Sequence, residues 1–470
     1  MIYNISVLQK RRNNMNMSII LAAGEGTRMK SDIPKTLHKV CGKEMIRYII
    51  EAAKNSQIEK NIVVLGHGKE KVGNNIKDMG VATVEQPIGE GSPYGTGYAV
   101  MVAKEHINDE DTVVILCADG PLVRKETLIS FIGYHKENDC AVSVMTAIMD
   151  NPKGLGRIVR NEDSSIDKIV EEKDATEDIK KIKEINTGIF CFKGRLLKSA
   201  LEKIDTNNSQ NEYYLTDTIK ILNSEGYKIG GWVLEDSTDI KAVNDRVQLS
   251  EVTKIMQERI NIRHMLSGVT IINPENTYIE DSVEIGRDTV IYPGTFLEGI
   301  TKIGTNCVIG PNTRIISSTV NNNVTIESSK VIESIIDDGT CVGPFAYLRP
   351  GTELGKNVKI GDFVEVKKSI IGDNSKSSHL SYIGDAEVGK DVNIGCGVVF
   401  VNYDGKTKHK TTVGDGAFIG SNSNLVAPVN VEQGGYVACG STITDDVQEG
   451  DLAIARARQV NKKGLGKNRY

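Results

Sequence analysis

Ile336-Asp-Asp-Gly-Thr-Cys-Val342-Gly-Pro-Phe-Ala-Tyr-Leu348-Arg-Pro-Gly-Thr-Glu-Leu354-Gly-Lys-Asn-Val-Lys-Ile360-Gly-Asp-Phe-Val-Glu-Val366 carries an aliphatic residue at every sixth position. Gly follows directly at 343, 355 and 361. The same period sets Ile285, Ile291, Leu297, Ile303, Ile309 and Ile315, then Val388, Ile394 and Phe400, then Val413, Ile419, Leu425, Val431, Val437 and Ile443. A hexapeptide period is the signature of a β-helix. Each short strand sends one aliphatic side chain inward, and the small residue beside it permits a sharp corner. Three such strands make one triangular coil, and coils must stack because one alone cannot bury its apolar face. Gly-rich antiparallel strands would not keep phase for so long.

The phase breaks at residues 376–382 and again at 401–411. Both breaks read as loops leaving the solenoid, where function concentrates. The first holds His379 and Tyr382, the second Asn402, Tyr403 and Lys408. Histidine suits removal of a proton from an ammonium, because its free pKa lies nearest neutrality. Arg349, Lys367 and Lys408 among Tyr382, Asn393, Asn402 and Tyr403 suggest a pocket for a sugar phosphate.

Outward from the repeat, the first half of the chain alternates strand and helix. Residues 18–21, 61–65, 112–116, 141–146 and 188–192 are short and rich in Val and Ile, and amphipathic segments such as 45–55 and 97–105 separate several of them. That pattern predicts an α/β domain with a mainly parallel sheet and ligands at the carboxyl ends of its strands. Residues 246–266 read as a charged helical linker between a domain at 17–245 and the β-helix domain with its C-terminal tail at 267–470. Residues 1–16 read as a disordered extension, and the tail after Asn461 as frayed.

Composition sets outer limits. The chain has 470 residues, enough for two or three domains, with 39% hydrophobic and 25% charged residues. A net charge of −5 gives no reason to expect nucleic-acid or membrane binding, so any phosphate site must be local. No run approaches the ~18–20 apolar residues of a membrane span. The eight cysteines show no CxxC spacing and read as reduced thiols of a cytoplasmic protein.

The chemical motif of the first half is Leu21-Ala22-Ala23-Gly24-Glu25-Gly26-Thr27-Arg28, continuing to Pro34-Lys35. A strand runs into two glycines, whose backbone N–H groups can approach phosphate oxygens, and then into two cations. Arg28 can clamp phosphate bidentately and Lys35 supplies a point charge. The spacing is neither GxGxxG nor a P-loop. The full string resembles the signature of sugar-nucleotide pyrophosphorylases. Gln86, the loop Tyr94-Gly95-Thr96-Gly97, Asp119 in Ala-Asp-Gly-Pro-Leu, Gly156-Arg157, Glu171, Asn186-Thr187-Gly188 and Val243-Asn244-Asp245-Arg246 match that family in order. The resemblance implies that Gln86, Gly95 and Thr96 read uracil, that Gly156, Glu171 and Asn186 hold an N-acetyl sugar, and that Asp119 and Asn244 are Mg²⁺ ligands.

From about Ser18 to Lys462 the chain resembles the bacterial family of bifunctional N-acetylglucosamine-1-phosphate uridylyltransferase / glucosamine-1-phosphate N-acetyltransferases. The resemblance rests on the motifs above and on Phe363-Val-Glu-Val-Lys-Lys, His379-Leu-Ser-Tyr-Ile-Gly-Asp-Ala-Glu, Asn393-Ile-Gly-Cys-Gly and Asn402-Tyr-Asp-Gly. It implies a Rossmann-like α/β nucleotidyltransferase followed by a left-handed parallel β-helix, assembled as a cytoplasmic homotrimer. It implies acetyl transfer from acetyl-CoA to glucosamine 1-phosphate, then attack on UTP to give UDP-N-acetylglucosamine, a cell-wall precursor. His379 would be the general base, oriented by Glu365. Arg349 and Lys367 would hold phosphate, with Tyr382, Asn393 and Lys408 around the sugar. The N–H of Cys396 would face the oxyanion, and Asn402, Tyr403, Ser421, Cys439 and Arg456 would line acetyl-CoA. Glu25 departs from the Lys common in the family, residues 86–94 form a longer loop than in many members, and Cys396 and Cys439 replace a common Ala. The alternative is a single-activity pyrophosphorylase whose β-helix only regulates or trimerises.

Overall fold

A computed structural model describes residues 15–89 and 91–468, and the chain divides into two compact units between Met256 and Gln257. Most of the segment read as an extension, residues 1–14, lies outside the described residues. Asn16 does not belong to it. It opens the first strand, held by its side-chain amide to Gln57 O and by its backbone N–H to Glu59.

The first unit is built on a sheet whose strands are β1 (Asn16–Ala22), β2 (Lys60–Leu65), β3 (Ala82–Glu85), β4 (Thr112–Cys117), β5 (Val142–Ile148), β6 (Arg157–Arg160), β7 (Ile166–Val170), β8 (Glu184–Lys193) and β9 (Ile229–Val233). The main path runs β9-β5-β8-β4-β1-β2-β3. Pairings β4–β1–β2–β3 and β9–β5 are parallel, and β8 runs antiparallel to both of its main neighbours. The central strands are continuous apolar runs because both faces are covered. Ile19, Ile62, Val64, Val113 and Ile115 enter one buried cluster, while Ile20, Val63, Leu65, Val114 and Leu116 enter the other. The helix expected at 97–105 is shorter, Thr96–Met101, with a separate 3-10 turn at Lys104–His106. The charged segment forms one α-helix, Arg246–Leu266, which spans the point of division between the units.

The second unit is a parallel β-helix, as the hexad period predicts, and left-handed, as the resemblance implies. Register gives the coil size directly. Ile285 pairs with Ile303, Ile291 with Ile309 and Leu297 with Ile315, each partner three hexads further on. The inward residues are buried, with Ile309, Ile315, Leu348 and Val366 fully so.

The first phase break is not a loop. Residues 376–384 form a nine-residue strand, β11 (Lys376–Gly384), lying parallel on an equally long β10 (Lys359–Lys367). Each strand runs through a corner of the prism without interruption. Phe363 (φ 57°) and Leu380 (φ 38°) take the left-handed backbone there, the conformation Gly397 supplies one coil later. The second break is a true excursion. Tyr403 and Lys408 bridge antiparallel across a hairpin, and Asp404 at its tip accepts from the N–H groups of Lys406 and Thr407 and pairs with His409. The Thr407 N–H, then His409 and the Lys406 N–H, hold the Asp404 carboxyl well below the usual carboxylate range. In the tail, Leu465–Asn468 forms a 3-10 turn.

Candidate functional sites

In the first unit, a cavity of about 260 Å³ opens at the carboxyl ends of β1 and β4, lined by Leu21, Ala22, Ala23, Gly24, Lys35, Gln86, Gly95, Thr96 and Asp119 among others. Gly26 (φ 69°) lets the loop fold back on the lysine, since a Cβ there would lie 2.6 Å from Lys35 Cβ. Gly95 (φ 117°) lets the opposite wall close, since a Cβ would lie 2.4 Å from Tyr213 O. Backbone bonds Tyr213 N–H to Tyr94 O and Gly97 N–H to Tyr213 O, both 2.8 Å, clamp that wall. Gln86 is buried at the cavity edge, its N–H given to Leu65 O.

The Lys35 ammonium lies 2.5 Å from Asp119 Oδ2 and 3.2 Å from Asn244 Oδ1. The Val243 N–H donates to Asp119 O at 2.9 Å, fixing the Asn244 segment beside Asp119. A carboxylate and an amide oxygen thus converge on one cation. Among the described residues no three His, Cys, Asp or Glu side chains form a metal cluster, so a metal here would need further oxygens from its ligand.

Gly156, Glu171 and Asn186 gather in a second group outside the cavity lining. The Asn186 N–H donates to Gly156 O at 2.9 Å, and the Thr216 hydroxyl donates to Glu171 at 3.3 Å. Burial pushes the Glu171 carboxyl up. Arg28 is exposed on the turn Thr27–Met29 and does not line the cavity. Sequence reading missed Thr36, Ala99, Cys117 and Glu212, which do. Cys117 was signalled by standing two residues before Asp119. Glu212 follows a polar stretch with nothing in its residue type to mark it. Burial pushes the Cys117 thiol up to about 12, helped by the Asp119 charge, which disfavours the thiolate.

In the second unit the expected residues form separate groups. Arg349 donates to Glu365 at 2.7 Å. Lys367 is buried, with Asp385 3.6 Å from its ammonium, and Asp385 accepts from the Asn402 amide, which also reaches Tyr382 Oη at 3.2 Å. The neighbouring Lys408, then burial, lowers the Lys367 pKa. Two ammonium groups held together in this way favour an anion between them. Cys396, Ser421 and Cys439 stack on one corner in successive coils, and a Cβ at Gly440 would meet Arg456. Asn393 is exposed and registers with Phe418, and Tyr403 is exposed with its hydroxyl on Gly405 O.

His379 corrects the reading of Glu365. Its Nδ1 lies 2.8 Å from Asp362 Oδ1, whereas Glu365 is engaged by Arg349. The reason is register, since Asp362 pairs with His379 and Glu365 with Tyr382. In the sequence, nothing in residue type or hexad position sets Asp362 apart from the other polar residues of the repeat.

An α/β sheet with a glycine-rich loop, a lysine and a paired oxygen site at its strand ends, followed by a hexapeptide β-helix, defines a nucleotidyltransferase carrying a second catalytic module. A family model described as nucleotidyl transferase matches residues 17–252. Bifunctional protein GlmU of Alkaliphilus metalliredigens (strain QYMF) is 54% identical over 447 residues, 95% of this chain and 97% of that protein. Its counterpart in Clostridioides difficile (strain 630) is 54% identical over 95% of this chain and 96% of its own length. That of Alkaliphilus oremlandii (strain OhILAs) is 55% identical over 96% and 98%. The chain belongs to the bifunctional GlmU family. It is a two-reaction enzyme that acetylates glucosamine 1-phosphate with acetyl-CoA and transfers UMP from UTP to N-acetylglucosamine 1-phosphate, giving UDP-N-acetylglucosamine and pyrophosphate. The single-activity alternative is set aside.

Proposed function

We propose that residues 17–245 carry uridylyl transfer, that 246–266 serve as linker, and that 267–470 carry acetyl transfer. The division of the chain within helix Arg246–Leu266 supports this assignment. In uridylyl transfer, Leu21 to Gly24 cradle the nucleotide, Gln86, Gly95 and Thr96 take the uracil, and Gly156, Glu171 and Asn186 take the N-acetyl sugar. Arg28 and Lys35 meet the phosphate charge. The observation that carries the reading is the Lys35 ammonium held between Asp119 and Asn244. Two oxygens that hold one cation fit Mg²⁺, which prefers oxygen ligands and keeps several from water or phosphate. Bound there, Mg²⁺ would supply charge neutralisation at the reacting phosphorus. Lys35 is then free to turn to the phosphates.

In acetyl transfer, His379 takes the proton from the glucosamine ammonium so that the free amine can attack the thioester. Arg349 and Lys367 hold phosphate, with Tyr382, Asn393 and Lys408 around the sugar. The Cys396 N–H faces the developing oxyanion. Asn402, Tyr403, Ser421, Cys439 and Arg456 line acetyl-CoA. Several of these side chains are exposed and do not enclose one pocket, which supports a site completed by another subunit of a homotrimer. Phe345 and Phe363 support it further. They stack at 5.6 Å yet are 59% and 60% exposed beside this group. No described helix is long and apolar enough to cross a membrane, and all eight cysteines are free, which supports a cytoplasmic setting. Each half expressed alone, assayed with each sugar phosphate, tests the assignment. Thiol release must follow 267–470 and pyrophosphate release 17–245, and the reverse partition overturns it.

A further inference from the structure

We propose that Asp362 is a positioning residue for His379, holding the imidazole in the tautomer that leaves Nε2 free to accept the substrate's proton. The inference rests on the reading of His379 as general base and adds a residue to it.

Three observations carry it. Asp362 Oδ1 stands 2.8 Å from His379 Nδ1, the distance of a good hydrogen bond. Asp362 and His379 are register partners on β10 and β11, so backbone pairing sets the contact. Each is followed by a bulky residue in the left-handed backbone, Phe363 and Leu380, so both side chains leave the same corner of the prism in successive coils. Bulky residues adopt that conformation at a cost of roughly 1–2 kcal/mol each, and such strain clusters at functional sites.

The other groups around His379 do not compete for Nδ1. Glu365 on β10 is bound by Arg349. Tyr382 on β11 takes the Asn402 amide at its hydroxyl. In the next coil, continuation of the register past Asn393 and Ile394 brings Cys396 opposite, a thiol and not a carboxylate. The hydrogen bond to His379 is the largest influence holding the Asp362 carboxyl below its usual range, so Asp362 is ionised and can only accept. An accepting carboxylate at Nδ1 requires the proton on Nδ1. The lone pair is then on Nε2, aimed away from β10, and the carboxylate stabilises the imidazolium that forms as the amine loses its proton.

Asp362→Asn is the discriminating variant. It keeps the size and exposure of the side chain but presents an N–H that favours the opposite tautomer. The expected result is a fall in kcat for acetyl transfer of ~10–10²-fold, less than in a fully buried triad because this pair is partly exposed. The KM for glucosamine 1-phosphate and uridylyl transfer should stay within about twofold. Asp362→Glu should restore part of the loss. Imidazole ¹⁵N–¹H spectra of the full-length protein, with the His379 signal assigned by its disappearance in His379→Ala, should show Nδ1–H in the parent and a shift toward Nε2–H in Asp362→Asn. A kcat within twofold of the parent, or an unchanged tautomer, overturns the role of Asp362. His379→Ala separates the two readings. If that variant keeps its kcat, the base assignment itself fails. If it loses turnover while Asp362→Asn does not, only the positioning role fails.

Discussion

Replacing Asp119 by Asn should nearly abolish uridylyl transfer and leave acetyl transfer intact. Asp119 is 17% exposed and Lys35 15%, so water screens their charges poorly. The substitution keeps an oxygen of the same reach but removes the carboxylate that, among the described residues, meets Lys35, leaving two amide oxygens around the cation site. A cation that stabilises the reacting phosphorus is worth several kcal/mol. Taking about 4 kcal/mol for the lost charge gives about a 10³-fold fall in kcat, since each ~1.4 kcal/mol is tenfold. The structural cost should be small, about 1 kcal/mol, because Lys35 keeps Asn244 and can turn its long stem toward water. Thermal unfolding should therefore shift only slightly. Two assays read the outcome side by side. Pyrophosphate release from UTP and N-acetylglucosamine 1-phosphate should collapse, and the Mg²⁺ concentration for half-activity should rise. Release of free thiol from acetyl-CoA should match the parent. Near-normal pyrophosphate release would refute the reasoning, and equal loss of both activities would show that the substitution disturbs folding.

The homotrimer reading predicts a single species of three chains in sedimentation at working concentration, and an active monomer defeats it. Among the cysteines, Cys341, Cys396 and Cys439 are exposed, whereas burial pushes the Cys191 thiol up as it does that of Cys117. A bulky thiol reagent should modify those three first, and acetyl-CoA should shield Cys396 and Cys439 but not Cys341. Mass spectrometry that finds all three equally labelled with acetyl-CoA present rules out the channel at that corner. His135 is buried on Ser143, and burial, aided by Lys193, lowers its pKa to about 4. The unfolded chain binds that proton near pH 6.5, so the stability gained from keeping His135 neutral is full above pH 6.5 and is lost as pH falls toward 4. The loss amounts to roughly 3 kcal/mol. His135→Gln should flatten denaturant midpoints across that window, and an unchanged slope counts against it.

The hexad ladder determined the β-helix outright, because a six-residue period with one inward aliphatic per strand admits one way of burying its apolar face. The apolar runs likewise determined the sheet of the first unit, where Ile19 and Ile20 face opposite sides as pleating requires. The glycine-rich string marked the cavity, and Leu21 to Gly24, Lys35, Gln86, Gly95, Thr96 and Asp119 all line it. What the sequence could not specify was which polar groups meet. Residues 376–382 looked like a loop, because the period cannot tell a loop from a strand that turns a corner on a left-handed Leu380. The resemblance pointed to Glu365 as the partner of His379, and only strand register put Asp362 opposite it. Lys35 lies 84 residues from Asp119 and 209 from Asn244, and only the folded sheet joins them. Periodic burial is a local property written many times over, so it survives in one dimension. A polar contact is made once, and its partner is chosen by register and by how strands close in space.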